Sequence, residues 1–153
     1  MADVKLSPHF FLSEFTFSQT AARMGIDNTP DEKSLANLER LAGVMEVVRR
    51  MLGDKPILIS SGYRNEATNS AVGGSSTSAH MYGLAVDWQC PEWGTPEEIC
   101  KKLESNLSEL KIDQLISEWN PGGWCHLAIC AAGEEPRCEC LTISENGTTT
   151  GFA

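Results

Sequence analysis

Apolar and polar positions alternate with the period of a helix in the first half of the chain. Between residues 34 and 52, apolar residues recur every three or four positions and Gly53 follows them, which predicts an amphipathic helix whose stripe is buried under a sheet. The stripe consists of Leu35, Leu38, Leu41, Val44, Met45, Val48 and Leu52. Thr29-Pro30 is a start signal, and acidic residues at 31 and 32 suit the positive end of the helix dipole. A second amphipathic helix is predicted from about Pro96 to Leu107, with Thr95 as its cap.

Shorter apolar runs, typical of strands, dominate the second half. The segments KPILISSGY (55–63), GLAVDWQC (83–90), WCHLAIC (124–130) and CLTIS (140–144) each predict a strand. In the third segment, a period of two places Trp124, His126 and Ala128 on one face. The polar segment ENGTTTGFA after CLTIS is expected to fray. The fold class predicted is therefore α+β, with a small antiparallel sheet and N-terminal helices packed on it.

Length and charge limit the possible functions. With 153 residues, 41% of them hydrophobic, the chain can bury one core, and we expect a single domain over 1–153 with a core at about 6–130 and a C-terminal extension at 131–153. The net charge of −9 and the absence of a basic patch argue against nucleic-acid binding. The sequence contains neither an apolar run of the ~18 residues that span a membrane nor a secretory signal. We therefore expect a monomer without a membrane segment, made in the cytoplasm.

Three side chains form a candidate metal site. His80 and Asp87 lie seven positions apart, His80 in a turn and Asp87 in the strand after it, and His126 lies in a second strand. An acid in an apolar strand costs several kcal/mol unless it is paired or bound to a metal. Two imidazoles and a carboxylate are donors that zinc binds when one position stays open for water. A salt bridge from Asp87 to Arg64 is the main alternative.

Several spaced motifs resemble those of one enzyme family. SGYRN (61–65, preceded by Ser60), VGG, SxHxxGxAxD (78–87), DQLISE (113–118) and WxH (124–126) occur in the order seen in the M15 family of zinc peptidases. This family comprises D-alanyl-D-alanine carboxypeptidases and L-alanyl-D-glutamate endopeptidases and shares an α+β fold with the Hedgehog signalling domain. The resemblance covers about Leu6 to Ile129. Near its start, the segment SPHFFLSEF (7–15) resembles the entry segment of the family's small single-domain, phage-endolysin-like branch.

The resemblance implies roles for individual residues. One zinc ion would be bound by His80, Asp87 and His126, and its water would attack a peptide bond of peptidoglycan. Arg64 would hold the substrate carbonyl or stabilise the oxyanion, a task that suits a guanidinium. We expect three further residues to contact substrate, namely Tyr63, Ser78 and Trp124, and Trp119 is another aromatic candidate to flank a peptide. Without a signal segment, delivery by a phage lysis system or a virion would bring such an enzyme to the cell wall.

The catalytic base departs from part of the family. Several members have an acid three positions before the last histidine, where this chain has Gly123. If QLISEW and WCHLAIC form a hairpin across the WNPGGW turn, Glu118 comes close to His126. We therefore predict that Glu118 accepts and returns the proton, with Asp113 as a second choice. The missing acid also leaves open a non-catalytic zinc module that binds wall fragments or a protein partner.

Two further features remain open at the level of sequence. The six cysteines are Cys90, Cys100, Cys125, Cys130, Cys138 and Cys140. They could be free thiols, disulfides or a second metal site. His9 is the one histidine outside the motifs, and it could either pack in a loop or approach the cleft.

Overall fold

The computed structural model describes residues 3–152, which form helices around one larger sheet. The helices are α1 (Leu12–Thr16), α2 (Gln19–Met24), α3 (Glu32–Met51), α4 (Glu66–Ala71), α5 (Pro96–Leu103) and α6 (Leu107–Leu110). The strands are β1 (Lys5–Ser7), β2 (Phe10–Phe11), β3 (Leu58–Ser61), β4 (Ala85–Gln89), β5 (Ile112–Glu118), β6 (Trp124–Ile129), β7 (Glu139–Ser144) and β8 (Gly147–Thr150). Two 3₁₀ helices cover Ala79–Tyr82 and Glu104–Asn106.

The predicted α+β class is confirmed. Strands β3 to β8 form a six-stranded sheet in the order β3-β4-β6-β5-β7-β8. Neighbouring strands are antiparallel, except that β5 and β7 run parallel, a pairing that the local patterns did not predict. Alternation along the strands divides the side chains between two faces. The inner face includes Trp88, Cys125 and Leu127, which belong to the buried core.

Helix α3 supplies the other half of that core. Its capping residue is Asp31, whose side chain accepts a hydrogen bond from the Ser34 amide at 2.7 Å, so the helix begins just after the Thr29-Pro30 signal. Its apolar stripe is buried as expected: Leu38, Leu41, Met45 and Val48 have no exposed surface. Burial of such a stripe is what stabilises an amphipathic helix in water.

Helix α5 starts where the sequence predicted and ends earlier. Thr95 accepts a hydrogen bond from the Glu98 amide, and Glu98 accepts one from the Thr95 amide, which completes a capping box. The α-helix stops at Leu103 rather than Leu107. A 3₁₀ turn and the short helix α6 continue the chain to β5.

The expectation that the C-terminal tail frays was wrong. Residues 147–150 form β8, which pairs with β7 across a two-residue loop at Glu145 and Asn146. The ladder is extended by the Thr142 hydroxyl, which donates to the Gly151 carbonyl at 2.6 Å, and Phe152 is 9% exposed. Threonine fits the pleated surface of a strand, and Gly147, with φ of 109°, follows the turn in a conformation that favours glycine. These local signals outweighed the polar composition.

The N-terminal strands are attached to α3 by one buried carboxylate. Glu46 is 7% exposed and accepts hydrogen bonds from the Ser7 hydroxyl and the His9 amide, both at 2.6 Å. The His9 ring nitrogen Nδ1 lies 2.7 Å from the other carboxylate oxygen. Burial alone would raise the pKa of Glu46, but these contacts outweigh burial and lower it. His9 is thus engaged with α3 and is not one of the metal-binding candidates.

Within residues 3–152, no helix is long and apolar enough to cross a membrane.

Candidate metal centre and catalytic site

The three predicted ligands meet on the outer face of the sheet. Asp87 on β4 is directly opposite His126 on β6 in the antiparallel ladder. His80 lies in the 3₁₀ helix that precedes β4. The Ser78 hydroxyl caps this helix by accepting from the His80 amide, and Gly83 ends it in the left-handed conformation with φ of 73°. The turn thereby folds back over β4, as the spacing of His80 and Asp87 required.

The distances bring one donor atom from each residue together. His126 Nδ1 lies 2.9 Å from Asp87 Oδ1, and His80 Nε2 lies 3.4 Å from Asp87 Oδ2. One ligand atom from each of the three residues lies within 4.8 Å of the others. The side chains are 4% exposed for His80, 13% for Asp87 and 12% for His126. In the described part of the chain, this is the one group of three or more such side chains that could hold a metal ion.

A backbone carbonyl orients His80. Its Nδ1 lies 2.7 Å from the Gly62 carbonyl oxygen, and a carbonyl only accepts, so Nδ1 carries the hydrogen. The lone pair is then on Nε2, which faces Asp87. A second hydrogen bond, from the Arg64 amide to the His80 carbonyl at 3.0 Å, holds the same turn. Outer contacts of this kind fix the tautomer and orientation of metal-binding histidines.

Asp87 is kept ionised in a nearly buried position. Burial raises its pKa, but hydrogen bonds with His126 and His80 outweigh burial and hold the pKa of Asp87 well below its usual range. Within the described residues its ion pairs are with these histidines and not with Arg64. The alternative of an Asp87–Arg64 salt bridge is therefore wrong. A buried anion between two imidazoles fits a divalent cation, which would bind all three.

Arg64 lies beside this group with donors to spare. It is half-buried, its Nε has no hydrogen-bond partner among residues 3–152, and its Nη2 reaches the Ser78 hydroxyl at 3.4 Å. Burial lowers the pKa of Arg64, whereas the nearby charges of Asp87 and Glu118 raise it. The guanidinium thus faces both acids of the site without an ion pair to either in the described structure. It is available to donate to a bound molecule.

The predicted hairpin is present and places Glu118 on the same face of the sheet as His126 and Asp87. Strands β5 and β6 are antiparallel, with Glu118 opposite Trp124 and Ile116 opposite His126. The Trp124 indole N–H donates to Glu118 Oε2 at 2.5 Å. This contact fixes the carboxylate on the same outer face as His126 and Asp87. Asp113, the second choice, is instead engaged by Arg137 at 2.9 Å.

Gly123 has a structural reason to lack a side chain. Its φ is 49°, and a Cβ at this position would overlap the carbonyl oxygen of Glu118. An acid could not be accommodated there without a change in the turn. The close approach of Gly123 to β5 therefore explains why this position has no acid, and it leaves Glu118 as the nearest acid upstream in the hairpin.

Comparison with known proteins agrees with this site. Residues 8–116 match the profile of the Peptidase M15 family. The chain belongs to the peptidase M15 family. It is also 49% identical over 43 residues to the zinc D-Ala-D-Ala carboxypeptidase of Streptomyces albus G. That stretch covers 28% of this chain and 17% of the Streptomyces enzyme, so the similarity to this relative is local.

Two other residues of this M15 chain that are predicted to contact substrate, Ser78 and Tyr63, have different surroundings. Ser78 binds Arg64 and caps the helix of His80, so it lies within the site. Tyr63 is 6% exposed and packs with the core, and burial raises the pKa of its hydroxyl. With Arg64, Tyr63 lines a cavity of about 240 Å³ between β3, α2 and α4. Its contact with substrate remains a prediction.

The six cysteines of this M15 chain are free thiols. Cys90, Cys100 and Cys125 are buried, and the sulfur atoms of the last two are 4.0 Å apart. The hydrogen bond with Cys100 and burial raise the pKa of Cys125 well above its usual value, and burial raises the pKa of Cys140 to about 11. Protonated thiols are poor nucleophiles and poor metal ligands. The geometry supports the free-thiol alternative over a second metal site.

Sequence reasoning missed two supporting contacts of the centre. The Gly62 carbonyl that orients His80 is a backbone group, so no side chain in the sequence indicates this contact. The glycine of the SGYR motif is the one available signal. A Cβ at Gly62 would collide with the backbone of Phe15. The Trp124–Glu118 hydrogen bond depends on the register of the β5–β6 ladder, which the turn residues alone do not determine.

Proposed function

We propose that this member of the M15 family is a zinc-dependent peptidase that hydrolyses stem-peptide bonds of peptidoglycan, as a carboxypeptidase or an endopeptidase. One observation carries the proposal: the His80, Asp87 and His126 donors share a sheet face with the Trp124-bound carboxylate of Glu118. A metal site with an adjacent carboxylate and a free guanidinium contains every group that peptide hydrolysis needs.

Zinc is the metal that this donor set favours. His80 would bind through Nε2, since Nδ1 is occupied by Gly62, and His126 through Nδ1, which already faces Asp87. Two neutral nitrogens and one carboxylate leave a position open in tetrahedral coordination. When bound, zinc would supply Lewis-acid activation of the attacking water and of the scissile carbonyl.

Glu118 is assigned the proton transfer. Its carboxylate is half-buried on the face of the metal group, and the indole of Trp124 occupies one oxygen, Oε2. The other oxygen remains to accept a proton from the attacking water and to return it to the leaving amine. A positioned acid–base group of this kind contributes about 10²–10⁴-fold to a rate.

Arg64 is assigned to the substrate carbonyl. The Nε atom has no partner and is buried, which is costly unless a ligand supplies an acceptor. A carbonyl oxygen that gains negative charge during attack is such an acceptor. Ser78 would hold the guanidinium in place through its contact with Nη2.

The substrate class rests on the relatives. The Streptomyces relative acts, by its name, on D-Ala-D-Ala, and the family matched is one of peptidases. We propose peptidoglycan stem peptides as substrate and cell-wall lysis or remodelling as the role, with action on the wall after release or delivery. A bacteriophage lysis protein is one form that such an enzyme takes.

A non-catalytic zinc module is the second candidate. Gly123, where several family members have an acid, is the observation that favours it. Both candidates are tested by adding one equivalent of zinc to the purified chain and analysing peptidoglycan fragments by mass spectrometry. Released D-alanine or a new amino terminus supports the peptidase. Stoichiometric zinc with unchanged fragments contradicts it and supports the module.

A further inference from the structure

Trp119 combines a strained backbone with an exposed side chain directly beside Glu118. Its φ is 57°, in the left-handed region, and 54% of its surface is exposed. A positive φ in a bulky aromatic residue is an outlier, because Cβ crowds the backbone. Burial of the indole would offset that strain, but more than half of its surface contacts no part of the described chain.

The turn around Trp119 is held firmly. The Asn120 amide donates to the Ile143 carbonyl at 2.9 Å, and the Gly122 amide donates to Glu97 Oε1 at 3.0 Å. In a third contact, the side-chain amide of Gln89 donates from Nε2 to the Gly123 carbonyl. The exposure of Trp119 is therefore not that of a loose loop. Strain that persists in a well-determined turn next to a catalytic group points to a functional reason.

The sheet order shows what the indole can reach. Asp87, His126 and Glu118 lie on three consecutive strands, β4, β6 and β5. Trp119 is three positions past Ile116, which lies opposite His126 in the ladder. At about 3.4 Å per residue along a strand, this offset is roughly 10 Å, a span of about three extended residues. A peptide that runs from the metal group toward the end of β5 thus comes to Trp119 within two or three residues of the scissile bond.

We propose that Trp119 is a substrate-contacting residue, whose indole packs against small apolar side chains of the peptide two or three residues from the scissile bond. This inference rests on the proposed peptidase function and extends it. Such residues are typical of stem peptides, in which alanine methyl groups recur. An indole offers a large rigid surface to methyl groups and peptide planes.

The test compares Trp119→Asn with Trp119→Phe, because asparagine tolerates a positive φ and phenylalanine keeps an aromatic surface. Met24→Ala is the control, since Met24 is 62% exposed on α2 and does not line the cavity that Arg64 and Tyr63 share. The zinc-loaded variants are assayed with a soluble stem pentapeptide for KM and kcat. Binding of the same peptide is measured by calorimetry, and Tm is recorded.

For Trp119→Asn we expect KM and Kd to rise about tenfold, kcat to change less than twofold, zinc content to stay the same and Tm to be equal or higher. Trp119→Phe should recover most of the affinity, and Met24→Ala should match the wild type. Unchanged KM and Kd in Trp119→Asn would overturn the inference. So would a lower Tm with unchanged affinity, which would indicate a packing role, or an effect seen only on intact peptidoglycan, which would indicate contact with the glycan.

Failure of the proposed function is a separate result. If the wild type binds the pentapeptide without cleaving it, the peptidase proposal is wrong, while the calorimetric comparison still decides the role of Trp119. If the wild type cleaves and Trp119→Asn matches it in KM and Kd, only the inference about Trp119 is wrong.

Discussion

Trp124 and Glu118 are joined across the β5–β6 ladder by a hydrogen bond from the indole N–H to the carboxylate. The bond connects a residue two positions before a metal-binding candidate with the proposed proton acceptor. Trp124 is a predicted substrate contact, and from this hydrogen bond we expect it also to position Glu118. Several expected outcomes depend on this pair and its surroundings.

Replacement of Glu118 tests the proton-transfer role. Glu118→Gln keeps the shape and the contact with Trp124 but cannot accept a proton, so kcat should fall by about 10²–10⁴-fold. Zinc content, measured by atomic absorption, should not change. Glu92→Gln is the control, because Glu92 is exposed and lies in a turn outside the strands. Turnover of Glu118→Gln at the wild-type rate would refute the assignment.

The indole contact is tested by Trp124→Phe. This change removes the N–H while it keeps an aromatic ring, and a hydrogen bond to a charged group is worth about 1.5–3 kcal/mol. We expect kcat to fall roughly ten- to a hundredfold and KM to change little, because the bond positions a catalytic group. A rise in KM alone would show that Trp124 acts only by contact with substrate.

The close approach of Gly123 is tested by a pair of glycine variants. Both Gly122 and Gly123 have positive φ, but only a Cβ at Gly123 meets neighbouring atoms. Gly122→Ala should cost about 1–3 kcal/mol of unfolding free energy from backbone strain, and Gly123→Ala should cost more and also lower activity. Urea titration measures the two costs. Equal costs and intact activity in both variants would contradict the steric account.

Removal of the metal and loss of one of its three proposed ligands should have the same effect on hydrolysis. Chelation should abolish hydrolysis, and zinc at about one hundred times Kd should raise unfolding free energy by about 2.7 kcal/mol in the wild type. Asp87→Ala removes the central anion and should abolish both the binding and the stabilisation. Thermal melts with and without zinc distinguish these cases. Full zinc binding by Asp87→Ala would place the metal elsewhere.

Glu46 should make stability depend on pH. Its pKa is lowered in the folded state from an ordinary value of 4.5, so its contribution is present above that value and is lost as the pH falls through the folded pKa. Glu46→Gln should therefore destabilise the protein at pH 7, and the difference from wild type should shrink at acid pH. Exposed Glu39 on the same helix supplies the control Glu39→Gln. A difference that is constant from neutral to acid pH would contradict the role of the charge.

The sequence predicted those parts of the molecule that depend on local pattern. The stripe of α3, the strand with Asp87 and the β5–β6 hairpin follow from periodicity and turn residues, and the ligands follow from spaced motifs. The parallel pairing of β7 with β5 and the attachment of His9 to Glu46 were not predictable, since each joins residues more than 20 positions apart without a local signal. The tail was misjudged because its polar threonines hid a strand.

The parallel pairing of β7 with β5 has a consequence for limited proteolysis. The Ile143 carbonyl accepts from the Asn120 amide, and Ile143 lies opposite Glu118 in the ladder. The ligand residues lie on other elements. We therefore expect a protease that clips the chain between β6 and β7 to remove this support of the turn after Glu118, and so to lower hydrolysis more than it lowers zinc binding.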